Sequence, residues 1–261
     1  MSYKTQFLSD VILRVDFVSP EESIKKSLSP EVKNASVKYF PITEERKVQT
    51  QQVLVTNEPG AQNTVLSKEQ FSEWHFYGKE KEKELCIGCN CLFINLKKYT
   101  SFEDLKPQFF EVLDLLLRNY SNIRINRIGL RYVNQITLPA EKKARKTWNS
   151  YWSKYISDAL IKSLSLIDVD TALSRQMNSI EMNYGDCMLR FQYGIFNTDY
   201  PAPNKKNSFV IDIDIYASGL IESEDIKNDV DTFHVKAKEW FEKAIKQGLR
   251  DKMGECEPNA R

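Results

Sequence analysis

Two short segments far apart in the chain, Val11-Ile12-Leu13-Arg14-Val15 and Ile128-Gly129-Leu130-Arg131-Tyr132, carry the same Leu-Arg step in the same alternating phase. Leu13 corresponds to Leu130 and Arg14 to Arg131. At the far end of each stretch an apolar strand runs into Ser101-Phe102-Glu103-Asp104-Leu105 or Ser223-Glu224-Asp225-Ile226, and then into a long helical pattern. There Leu105, Phe109, Val112, Leu116 and Tyr120 match Ile226, Val230, Phe233, Ala237 and Phe241, each set on one helical stripe. A repeated strand-to-helix pattern restricts the chain to an α+β fold. We expect a largely antiparallel sheet built from two pseudo-duplicated units, residues 1–121 and 122–261, with long amphipathic helices packed on one face.

The local patterns fill in this outline. Phe7 to Val18 alternates Phe7, Val11, Leu13, Val15 and Phe17 against Asp10, Arg14 and Asp16, a strand with one buried and one polar face. Ser19-Pro20-Glu21-Glu22 opens a short helix by the rule that proline and acids favour the first turn. Residues 36–56 and 64–98 read as antiparallel strands, with the charged run Lys79 to Lys83 as a hairpin tip and Leu85 to Leu96 as one strand. Thr100-x-x-Glu103 fits a capping box for the next helix, with Pro107 either at its first position or at a kink. Asn122 to Leu138 is a strand placing Arg127 and Arg131 on its polar face. A helix over 147–166, strands over 172–183, 186–197 and 208–217, and a single helix over 224–253 complete the expectation.

Basic and acidic residues number 37 and 36, so no net field recruits nucleic acid or an anionic membrane, although a local patch still can. No segment approaches the ~18 uninterrupted apolar residues of a membrane helix, and no charged leader precedes an apolar block. A cytoplasmic location with no membrane partner is therefore expected. The cysteines are Cys86, Cys89, Cys91, Cys187 and Cys256, an odd number that favours reduced thiols. Cys86-Ile-Gly-Cys89-Asn-Cys91 would suit zinc in a tight turn. On one continuous strand, alternation instead sends Cys86 away from Cys89 and Cys91, so neither a metal nor another cofactor is expected.

The strand Phe209 to Tyr216 sends Asp212 and Asp214 to one side. Carboxylates at i and i+2 can share a divalent cation for phosphoryl transfer. They can equally neutralise Arg14, Arg127, Arg131 or Arg190 in a cross-strand network, and no phosphate-cradling glycine loop accompanies them. The segment Lys142, Lys143, Arg145 and Lys146 precedes the aromatics Trp148, Trp152 and Tyr155, a pattern that either binds single-stranded nucleic acid or is a basic loop before a core helix. His75 and His234 have no nucleophile beside them in sequence and read as packed histidines.

Arg127-Ile-Gly-Leu-Arg-Tyr-Val-Asn134, the Asp212-Ile-Asp214 strand, and Phe233-His234 with Trp240-Phe241-Glu242 in one helix resemble a sporadically distributed family of uncharacterised bacterial proteins of about this length. The resemblance runs over nearly the whole chain and is most specific in the Gly-Leu-Arg-Tyr-Val-Asn strand. It implies a bacterial source and an accessory role, compatible with a mobile-element or phage-defence setting, and carries no activity over.

The leading expectation is a non-enzymatic binding or adaptor protein. It would use the sheet face carrying Arg14, Arg127, Arg131, Asp212 and Asp214, or the surface near the basic linker, with a protein partner or a second copy of the chain as its ligand. The alternatives are a divalent-metal phosphoryl-transfer or nuclease-like enzyme using the two aspartates, and a nucleic-acid binder using the basic segment.

Overall fold

Alternation of apolar and polar residues decides which strands reach the middle of the molecule. The computed structural model of the chain describes residues 2–54, 64–138, 147–167, 172–204, 206 and 208–256. A short strand β1 (Ser2–Tyr3) precedes β2 (Leu8–Phe17), in which Val11, Leu13, Val15 and Phe17 are buried. Helix α1 (Pro30–Tyr39) follows, then β3 (Ile42–Leu54), β4 (Thr64–Tyr77), β5 (Lys83–Ile87) and β6 (Cys91–Leu96). Helix α2 (Phe102–Asn119) leads to β7 (Ile125–Thr137). Next come α3 (Trp148–Trp152), α4 (Asp158–Ile161) and a single 3-10 segment over Lys162–Leu166. The chain then forms β8 (Gln176–Asn183), β9 (Met188–Ile195), β10 (Ser208–Ile221), α5 (Ile226–Ala244), α6 (Gln247–Met253) and β11 (Glu255–Cys256).

Nine strands form one antiparallel sheet in the order β3-β4-β5-β6-β2-β7-β10-β9-β8, while β1 and β11 pair apart from it. With six helices among the described residues this is an α+β fold. The seam between the early and late strands is β2 against β7, where Leu13 faces Leu130 and Arg14 faces Gly129. Helix α2 lies on β6, with α1 packed on α2, and α5 crosses β7 and β10. All cover the same face of the sheet. Their buried residues, among them Leu105, Phe109, Val112 and Leu116 of α2 and Ile226, Val230, Phe233 and Ala237 of α5, meet Leu13, Ile94, Leu130, Ile213 and Phe191. The opposite face carries the other parity of each strand. No helix among the described residues is long and apolar enough to cross a membrane.

Several local expectations are corrected. Residues 36–39, expected to start a strand, belong to helix α1: Ser29 Oγ accepts from Val32 N–H and Pro30 occupies the first turn beside Glu31. This is the signal assigned to Ser19-Pro20-Glu21, where the chain only turns. In α2 the cap is Ser101, accepting from Asp104 N–H at 3.0 Å, and Pro107 lies inside the helix. Its ring sits on the solvent side, where water can satisfy the carbonyl that lost its amide partner. Residues 147–166 break into three short pieces, and the final helix divides at Ile245. There Ile245 bridges to Ile156, and Lys246 N–H donates to the Tyr155 carbonyl.

The correction that matters most for function concerns Cys86 to Cys91. Instead of one strand, β5 and β6 form a hairpin turning at residues 88–90, with Gly88 N–H donating to the Cys91 carbonyl. Folding back restores the parity that a straight strand would have broken. Cys86 pairs with Phe93, which shares a face with Cys91, so Cys86 and Cys91 both belong to the uncovered face.

Candidate binding face

Strand register assembles the charged residues of the uncovered face in adjoining rows. Arg190 of β9, Asp214 of β10, Arg131 of β7 and Ile12 of β2 are successive cross-strand neighbours. In the next row Tyr216 faces Gly129, which faces Arg14, which faces Phe93. The five residues singled out in the sequence therefore occupy adjoining positions around the β2–β7 seam.

The contacts are specific. Arg131 grips Asp212 with two parallel bonds, Nε to Oδ1 at 2.8 Å and Nη2 to Oδ2 at 2.5 Å. Arg190 donates to Asp214 Oδ2 at 2.9 Å, and Arg127 approaches the same oxygen at 3.7 Å. Arg127 also lies 3.7 Å from Asp16 and stacks over Tyr216 at 4.6 Å from the ring centre. Arg14 binds Asp16 through Nε at 2.7 Å and extends over Phe93. Gly129 leaves space for this crossing: a Cβ there would stand 3.0 Å from the Arg127 guanidinium.

Burial divides these partners unequally. The Asp212 and Asp214 side chains are 9% and 7% exposed, whereas Arg131, Arg190 and Arg14 are 37%, 40% and 40% exposed. The carboxylates lie at the floor and the guanidiniums at the surface. The hydrogen-bonded Asp212 carboxylate holds Arg131 above its ordinary range despite partial burial. A guanidinium has five N–H donors, and one carboxylate takes two, so donors remain at the surface. Along the strands of this face Asp10, Asp16, Glu44, Glu73, Glu84, Glu181, Asp212 and Asp214 outnumber Arg14, Arg46, Arg127, Arg131 and Arg190. Lys142, Lys143, Arg145 and Lys146 lie outside the described residues.

Two further constellations escape sequence reasoning because they join distant segments. Farther along the same face, Glu73 and His75 of β4 and Cys86 of β5 converge, with one potential ligand atom from each lying within 4.8 Å of the others. Burial pushes the Cys86 thiol well up, and Cys91 up to about 11. On the covered face a cavity of about 280 Å³ opens between α5, β7, the start of α2 and the N-terminal strand. There the Tyr132 hydroxyl is 2.7 Å from His234 Nδ1, and Phe102 stacks on the His234 ring at 4.1 Å. Burial lowers the His234 pKa and raises that of Tyr132. The spacing of His234 within α5 hinted at packing but not at Tyr132, whose side chain arrives from another element.

Comparison with models of known protein families returns no match, and no curated protein is similar in sequence.

Proposed function

We propose that the chain is a binding protein that uses the uncovered face of its sheet to hold a protein partner. The observation carrying this reading is that the partly exposed guanidiniums of Arg131 and Arg190 are anchored by the nearly buried carboxylates of Asp212 and Asp214. Arginine held in place by a neighbour loses little further entropy on binding and is favoured at the centres of protein interfaces. Guanidinium donors suit carboxylate or main-chain carbonyl oxygens on the partner. The excess of carboxylates on the face supports a protein over a nucleic acid, whose phosphates need a net basic surface. Engagement of both Asp212 and Asp214 by guanidiniums supports a charge network over a divalent-cation pair.

We infer further that this face is made by two related units, residues 1–121 and 122–261. Strand order supports this. Outward from the seam run β2-β6-β5-β4-β3 on one side and β7-β10-β9-β8 on the other, the first series being one strand longer. In each series the last strand pairs with the first, earlier strands step outward, and a long helix follows the last strand.

The test is native mass spectrometry and affinity capture from the source organism, comparing wild type with Arg14→Ala and with the paired replacement Arg131→Leu/Asp212→Leu. The pair removes the outward donor without stranding a buried carboxylate. A stoichiometric protein partner lost from both variants is the expected result. A partner retained by both folded variants, or capture of nucleic acid with a steep salt dependence, overturns the reading.

A further inference from the structure

We propose that Glu73, His75 and Cys86 form a zinc site. The pairing of β4 with β5 sets His75 directly opposite Cys86, and Glu73 lies two residues from His75 on the same face. His75 and Cys86 are 5% and 2% exposed, while the Glu73 side chain is 29% exposed and borders solvent. The site is thus buried on two sides and reachable on the third.

The distances fit one metal ion. Cys86 Sγ is 3.8 Å from His75 Nε2, and Glu73 Oε2 is 3.5 Å from the same nitrogen. Tetrahedral zinc, with bonds of about 2.3 Å to sulfur and about 2.0–2.1 Å to nitrogen and oxygen, sets these edges at about 3.5 Å and about 3.4 Å. The two edges at Nε2 need a contraction of no more than a few tenths of an ångström; the third, between Cys86 Sγ and the Glu73 carboxylate, lies within 4.8 Å, and the Glu73 side chain at the solvent edge closes it by up to about 1 Å on binding. Thiolate, imidazole and carboxylate are also the donor set that zinc accepts.

The other ring nitrogen supplies an independent observation. His75 Nδ1 lies 2.7 Å from Glu84 Oε1. A carboxylate at that position holds the proton on Nδ1 and turns the Nε2 lone pair towards the place where Glu73 and Cys86 converge, the arrangement typical of histidines that ligate metals. Tyr77 stacks on the ring and also reaches Glu84, fixing its plane. The competing account is an imidazolium bridging Glu84 and Glu73, which gives Cys86 no role. Three protein ligands leave a fourth position for water, or for a group brought by a partner on the same face.

The experiment is titration of the purified, reduced full chain with Zn²⁺ under native mass spectrometry and calorimetry, repeated with Co²⁺. We expect one ion per chain and, for cobalt, a near-ultraviolet sulfur-to-metal absorption band. Cys86→Ser and His75→Asn should abolish both signals, and Cys187→Ser, far from the site, should leave them intact. Glu84→Gln should weaken affinity roughly 10–100-fold by releasing the ring, without removing a ligand. Should a buried variant fail to fold, Glu73→Gln at the solvent edge carries the test, with weaker binding expected. No bound ion in the wild-type chain overturns the proposal. So does binding that survives Cys86→Ser but is lost in Cys91→Ser, or binding unchanged in Glu73→Gln and Glu84→Gln.

Discussion

The chain's two histidines sit on opposite faces of one sheet and are held in opposite ways. His75, on the uncovered face, lies among ionisable partners: Glu84 at Nδ1, with Glu73 and Cys86 near Nε2. His234, on the covered face, lies beneath a phenylalanine ring with a tyrosine hydroxyl at Nδ1, and burial lowers its pKa. The uncovered face also pairs Arg131 with Asp212 and Arg190 with Asp214, whereas the surroundings of His234 are the rings of Phe102 and Tyr132.

The largest effect that would sharpen this contrast is the loss of a paired charge. Arg131→Ala strands the nearly buried Asp212 carboxylate and should destabilise the chain by about 3 kcal/mol, the low end for a broken buried pair because Arg131 is partly exposed. Arg131→Leu/Asp212→Leu should return to within about 1 kcal/mol of wild type. Urea unfolding measures both. If the single and paired variants were equally unstable, charge pairing would not organise this face.

On the covered face, Tyr132→Phe keeps the ring and removes only the hydroxyl opposite His234. A loss of about 1 kcal/mol is expected, since one partly buried hydrogen bond goes and its partner remains. A neutral result would show that packing alone seats His234.

Acidification separates the faces without mutation. Because the folded-state pKa of His234 lies below its unfolded value of about 6.5, the unfolded chain takes up the proton first. Stability from this group is complete above that value and is lost as pH falls towards the lower folded pKa. Unfolding midpoints between about pH 7 and pH 5 should therefore decline, and His234→Gln should reduce the slope. An unchanged slope would place the neutral histidine elsewhere in the account.

The smallest effect belongs to Arg14→Ala. Arg14 and Asp16 are both partly exposed, so less than about 1 kcal/mol of stability should be lost, even if partner capture fails. A large loss of stability would mean that Arg14 is structural and not a free anchor.

Much of this organisation was legible from periodicity. Val11 to Phe17, Ile128 to Ile136 and Phe209 to Ile215 alternate strongly because one face of each strand meets helices and the other does not. Hence Arg14, Arg127, Arg131, Asp212 and Asp214 could be assigned to polar faces, although which guanidinium meets which carboxylate depends on register. What escaped was the places where tertiary contacts interrupt a pattern. Cys86 to Cys91 reads as part of one strand, and only the turn at residues 88–90 shows that its two ends share a face. Ile245 continues a helical stripe in sequence, yet its bridge to Ile156 stops the helix. The Glu73, His75 and Cys86 cluster lay beyond sequence reasoning because it requires the β4–β5 register.

The seam between β2 and β7 also bears on how the chain reaches this state. Its two strands lie far apart in sequence, and loop closure must precede their ladder, so their union belongs among the slow, non-local events of folding. Until it forms, β2 ends one partial sheet with the backbone donors and acceptors of its β7-facing edge unpaired. A nascent chain that stalls before β7 thus presents a sticky edge in the middle of its future core, and quick delivery of the second half guards it against aggregation.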